Sequence, residues 1–141
     1  MGFREKSAWI MAVALTLTGG FYGYVVTQQT MLLGHPPPPN IGLAVVVTIP
    51  LVALAIFGHA FAALGNPTDA NSPQDERDRV IAWRAGNLAG LLFGVITIAA
   101  ISAYAVLEYG DLLFHLVVFG LVVSQLADYI LTILFYRRGQ A

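Results

Sequence analysis

At 141 residues, 57% hydrophobic and only 11% charged, the chain has too few charges to cover a water-soluble fold, where roughly a quarter would be charged. Its net charge of −1 provides no basic field, so no nucleic-acid partner is expected. The absence of cysteine excludes disulfide frameworks, thiolate metal sites, thiol nucleophiles, c-type haem attachment and a lipoprotein lipobox.

Mean hydropathy is +0.73, and the apolar residues fall in long blocks rather than alternating with polar ones. That pattern suits a bilayer. A spanning helix needs about 20 mostly apolar residues, and a longer one can tilt. Four segments qualify, giving an all-α, single-domain membrane protein over 1–141, an antiparallel bundle. The first, about Ala8 to Leu33, follows Arg4 and Lys6 as a signal peptide would. Its run is too long for a signal h-region and no small-x-small cleavage site follows, so it reads as a retained helix. Gly34-His35-Pro36-Pro37-Pro38-Pro39-Asn40 then breaks the chain into a short, stiff polyproline turn.

The second span is Ile41 to Leu64, with Pro50 in its middle to kink it and free a carbonyl near Val46. The loop Gly65 to Arg79 follows. Within it Ser72-Pro73-Gln74-Asp75 reads as a helix start, with Ser72 as N-cap, Pro73 in the first turn and Asp75 reaching back. Asp75 and Arg79 have the spacing of an i,i+4 ion pair. The third span is Val80 to Leu107. Glu108-Tyr109-Gly110-Asp111 is a tight turn, so the fourth span, Leu112 to Tyr136, returns antiparallel to the third.

Orientation follows from the cations, which are retained on the cytoplasmic side. Four spans put both termini and the Gly65–Arg79 loop on one side, and all seven cations lie there or close by: Arg4, Lys6, Arg77, Arg79, Arg84, Arg137 and Arg138. Both termini are therefore expected inside. Trp9, Trp83 and Tyr136 fall near the same boundary, as interfacial aromatics do.

Helices in lipid associate through close packing of small residues. Gly86, Gly90 and Gly94 form two overlapping G-x-x-x-G steps on the third span; Gly19 and Gly23 share that spacing on the first, and Gly120 with Ser124 on the fourth. Packing within the bundle is the simpler reading, packing between protomers the other.

Asp128 lies eight residues before Tyr136, roughly 12 Å inside the fourth span at about 1.5 Å per residue. A carboxylate there is costly unless it faces a partner, the bundle interior or water. Ser124 and Gln125 share its face. Arg84 and His59 lie at similar depth, so an Asp128–Arg84 ion pair is expected, with Asn87 and His59 as neighbours. Such a cluster either satisfies buried polarity and sets register, or serves as a proton or ion relay or pocket floor.

Toward the other side lie Gln28, Gln29, His35, Glu108, Asp111 and His115. His115 and Asp111 are four apart, but no His-x-x-x-His or Glu-x-x-His pair is present, so no metal is expected. Haem between His59 and His115 is disfavoured by their opposite depths, and no other cofactor is expected. Hydrolase, phosphate-loop and zinc-protease motifs are absent. Asp75, Glu76, Arg77, Asp78 and Arg79 form either a solvated helix start or a cytoplasmic docking rim.

Arg4-Glu5-Lys6-Ser7-Ala8-Trp9, the string Asp75 to Ala85 and Tyr136-Arg137-Arg138-Gly139 resemble a family of small bacterial four-helix inner-membrane proteins of unknown function. The resemblance implies a bacterial inner membrane and no activity. The leading expectation is a non-enzymatic membrane component that packs with itself or a larger partner through glycine faces. Its alternative is a minimal proton- or ion-coupled transporter using Asp128. The chain resembles small multidrug transporters in size but lacks an acidic residue inside its first span. A third reading is an enzyme acting on lipid or quinone, with His59 as base and Asp128 as orienter.

Overall fold

The computed structural model describes residues 2–65, 67, 73 and 75–139. Four helices run through it: α1 (Phe3–Leu33), α2 (Ile41–Leu64), α3 (Glu76–Leu107) and α4 (Gly110–Arg138). All four are long and apolar enough to cross a membrane. Even α2, the shortest at 24 residues, is about 36 Å long against a hydrocarbon core of about 30 Å. The chain is a multi-pass, all-α membrane protein.

Local chemistry sets the helix ends. Gly34 closes α1 in the left-handed conformation at φ 75°, its N–H donating to the Thr30 carbonyl at 2.9 Å. The proline run cannot continue the helix. Asn40 then starts α2, its side-chain oxygen accepting the Leu43 N–H at 3.1 Å.

The start of α3 differs from the expectation. Asp75 is the N-cap, accepting the Asp78 N–H at 2.7 Å, and Pro73 is outside the helix. Ser72 and Gln74 lie outside the described residues. A carboxylate at this position both satisfies a free donor and meets the positive end of the helix dipole. The expected Asp75–Arg79 ion pair is not formed among the described residues. Only Glu108 and Tyr109 separate α3 from α4.

Within the bundle α1 packs against α2 on one side and α4 on the other, and α4 packs against α3. Among the described residues α2 and α3 do not meet. The bundle therefore has an α1–α4 centre with α2 and α3 as its flanks. The seam of α1 is Ala8, Ala12, Leu15, Gly19, Tyr22 and Val26, alternating steps of four and three that keep one helical face toward a neighbour. That neighbour is α4, where Ile133, Leu126 and Tyr129 pack on Ala8 and Ala12.

Glycines set the approach of the helices. A Cβ on Gly19 would come within 2.5 Å of Val122 Cγ1, one on Gly23 within 2.6 Å of Phe119 Cζ, and one on Gly120 within 2.9 Å of Ile96 Cγ2. Gly58, which the sequence pattern did not single out, admits Ile10 of α1 in the same way. The glycine stripe of α3 behaves differently. No atom lies within 4 Å of a Cβ built on Gly86, Gly90 or Gly94. The reason is angular: α3 buries Ile81, Ala85 and Ala89, and Gly86 and Gly90, each one residue further on, are turned about 100° away. Packing inside the bundle is not what this stripe does.

Candidate functional site

The expected intramembrane polar cluster is dispersed. Asp128 is half-buried on α4, while Arg84 and Asn87 on α3 and Gln125 on α4 are exposed. No ion pair joins Asp128 to Arg84 among the described residues. The geometry explains this: Arg84 precedes the buried Ala85 by one residue and so leaves the α3–α4 seam. Ser124 is buried, its hydroxyl donating to the Leu121 carbonyl of its own helix at 3.0 Å.

His59 is held elsewhere. Its Nδ1 lies 2.6 Å from the Ala55 carbonyl and its Nε2 lies 2.5 Å from Ser7 Oγ of α1. A carbonyl only accepts, so in the neutral ring Nδ1 carries the proton and Nε2 accepts from the Ser7 hydroxyl. Both nitrogens are occupied, and α2 does not pack against α4. The base–orienter pair of His59 and Asp128 is therefore not assembled.

At the end of the bundle that carries both termini, the charged residues form a clasp. Arg4 Nε meets Asp78 Oδ2 at 2.7 Å, and the Tyr136 hydroxyl donates to Asp78 Oδ1 at 2.6 Å. Arg137 Nε lies 3.2 Å from Glu5 Oε1, with its guanidinium 5.5 Å from the Trp9 ring centroid. One carboxylate thus ties the first turn of α3 to both α1 and α4. Of the five rim residues, Asp75, Glu76, Arg77 and Arg79 are exposed, whereas Asp78 turns inward to this clasp. No local spacing marks it: Arg4, Asp78 and Tyr136 are far apart along the chain.

At the opposite end His115 is buried. Its Nε2 lies 2.8 Å from the Pro37 carbonyl, and its Nδ1 lies 2.6 Å from the hydroxyl of Tyr22. By the same reasoning Nε2–H donates to Pro37 and the Tyr22 hydroxyl donates to Nδ1. His115 therefore pins the polyproline turn to α1 and α4 rather than joining Asp111. No group of three residues with metal-ligand side chains occurs among those described.

The remaining feature is the outward face of α3. Gly86, Gly90 and Gly94 lie bare along it, with Trp83 one turn before Gly86 at the terminal end and Asn87 beside the stripe. Trp83 is 68% exposed. Asn87 presents an amide from within an apolar span, with no hydrogen-bond partner in the bundle among the described residues.

Compared with protein-family models, curated proteins and solved structures, the chain matches none of them. Its class is defined by its own architecture: a four-helix protein whose helices are all long and apolar enough to span a membrane.

Proposed function

We propose that this protein is a non-enzymatic component of the membrane that associates with a second copy of itself, or with a larger membrane partner, through the outward face of α3. The observation that carries the reading is the bare stripe of Gly86, Gly90 and Gly94. Glycines let two helix backbones approach closely, and in lipid such packing, rather than a hydrophobic drive, holds helices together. Asn87 adds polar complementarity: an amide facing acyl chains is costly, and a partner amide across a close helix pair would satisfy it. The exposed Asp75, Glu76, Arg77 and Arg79 extend the same helix as a charged rim. Cation placement favours a cytoplasmic rim, and the resemblance carried by Arg4–Trp9, Asp75–Ala85 and Tyr136–Gly139 favours a bacterial inner membrane.

The chain has no native cysteine, so Leu91→Cys, on the exposed face one turn beyond Asn87, supplies a unique reporter. Mild oxidation of membranes carrying it should yield a disulfide-linked dimer, and adding Gly90→Ile should abolish it. Monomer alone, together with no membrane protein captured by the native chain, would overturn the reading.

Asp128 supports a second reading. It has no cation partner among the described residues, so the expected Asp128–Arg84 link does not account for it. A minimal proton- or cation-coupled transporter would use such a carboxylate. Reconstituted native protein should then carry protons, cations or small amines into liposomes, and Asp128→Asn should not. Absence of native flux would dismiss transport.

A further inference from the structure

Between α1, α2 and α4, beneath the polyproline turn, lies a cavity of about 140 Å³. We propose that it is a binding site for a small neutral molecule, a single aromatic ring bearing one hydrogen-bonding oxygen, of the phenol class. The proposal is independent of the α3 face.

Three properties of the cavity select this chemistry. The first is size. A cavity of roughly 150 Å³ lined by apolar side chains holds benzene, so a single ring matches the space. The second is charge. No Asp, Glu, Lys or Arg lines the cavity. An ion placed there would go uncompensated at a depth where that costs several kcal/mol. The occupant must be neutral.

The third property is the distribution of polar groups. Leu43, Val47, Val118 and Val122 supply largely apolar walls that run from the turn into the span, with the Thr48 hydroxyl among them, while Gln29 and Asn40 lie at the end beside the turn. Asn40 uses its side-chain oxygen to cap α2, which leaves its NH₂ to donate. The Gln29 amide has no hydrogen-bond partner among the described residues and supplies a second donor. Tyr22 gives its proton to His115, so its oxygen retains lone pairs that accept. A phenolic hydroxyl both donates and accepts, and matches this set at one edge of a ring whose remaining surface is apolar. A simple hydrocarbon leaves the donors unmet, as a lipid tail does. His115 is a positioning residue: by holding both Tyr22 and Pro37 it fixes the roof of the cavity and the direction of the Tyr22 lone pairs. A preformed apolar pocket with a few convergent polar groups is the general form of a small-molecule site.

The test is fluorine NMR of 4-fluorophenol added to the full chain in detergent micelles, with empty micelles as reference. The native protein should show a saturable bound signal that unlabelled phenol displaces and benzoate, an anion of similar size, does not. Val47→Phe, which fills the cavity, should weaken binding by about tenfold or more. Gln29→Leu, which keeps the cavity and removes one donor, should weaken it by about fivefold, the worth of one hydrogen bond. Circular dichroism establishes that each variant is folded. If Val47→Phe does not fold, Val118→Leu takes its place with the same expected direction. Uptake that rises linearly and equals that of empty micelles overturns the proposal. So does undiminished binding by a folded, cavity-filled variant.

Discussion

At the turn between α3 and α4, one residue is held in a conformation its side chain disfavours. Glu108 sits at φ 57° and is the one non-glycine residue with positive φ among those described. Its N–H donates to the Tyr104 carbonyl at 2.8 Å, so the conformation is what lets α3 terminate and the chain reverse. The side chain is exposed and has no hydrogen bond or ion pair among the described residues. An L-residue in this region carries about 1–2 kcal/mol of steric cost that glycine avoids, partly offset by the greater freedom of glycine in the unfolded chain. Glu108→Gly should therefore raise stability by about 0.5–1 kcal/mol in thermal denaturation of the detergent-solubilised protein. A loss of stability would show that the Glu108 carboxylate contributes through its surroundings. The histidines give the opposite lesson at this scale. His59 and His115 each have both ring nitrogens engaged, yet their partners Ser7 and Tyr22 are 52 and 93 residues away in the chain. Residue type suggested polar or metal-binding chemistry; the fold uses both as links between helices.

At the scale of a helix, the same motif has two outcomes. Gly23 on α1 is packed under Phe119, whereas Gly90 on α3 meets nothing. Gly23→Leu must displace the Phe119 ring and should destabilise the bundle by about 1–3 kcal/mol, as overpacking does. Gly90→Leu adds a good helix former to an empty face, so the stability of the monomer should be unchanged or slightly greater, while self-association is lost. Thermal melts of the two variants, with cross-linking of the second, separate these outcomes. Equal destabilisation would mean that the α3 face is packed within the bundle after all. Several element boundaries are legible in the sequence. The ends at Leu33, Leu64 and Leu107 follow from Gly34, the Gly65 loop and the Glu108 turn. The start of α3 was misplaced because Ser72-Pro73 and Asp75 are both sound N-terminal signals, and only the observed Asp75 to Asp78 bond distinguishes them.

At the scale of the whole molecule, the four helices are held by seams of small residues and by polar links at each end. The clasp of Arg4, Asp78 and Tyr136 joins α1, α3 and α4 where α1 and α3 do not otherwise pack. At the opposite end, His115 joins α1, α4 and the polyproline turn. The sequence by itself determined that there are four membrane-length helices and their order, together with the start at Ile41 and the ends at Leu33, Leu64 and Leu107, because apolar run length and cap chemistry are local properties. By contrast, α1 begins earlier than expected, at Phe3, and α4 is two residues longer at each end. It also identified Gly19, Gly23 and Gly120 as points of close approach without saying what they approach. Only the tertiary structure decided which faces meet. It put Arg84 outside the α3–α4 seam, gave Asp78 to Arg4, and left the longest glycine stripe uncovered. The physical reason is the solvent: in a bilayer both the inside and the outside of a bundle are apolar, so hydrophobic periodicity does not mark the buried face. Shape decides instead, where a missing Cβ on one helix receives a valine or phenylalanine from another.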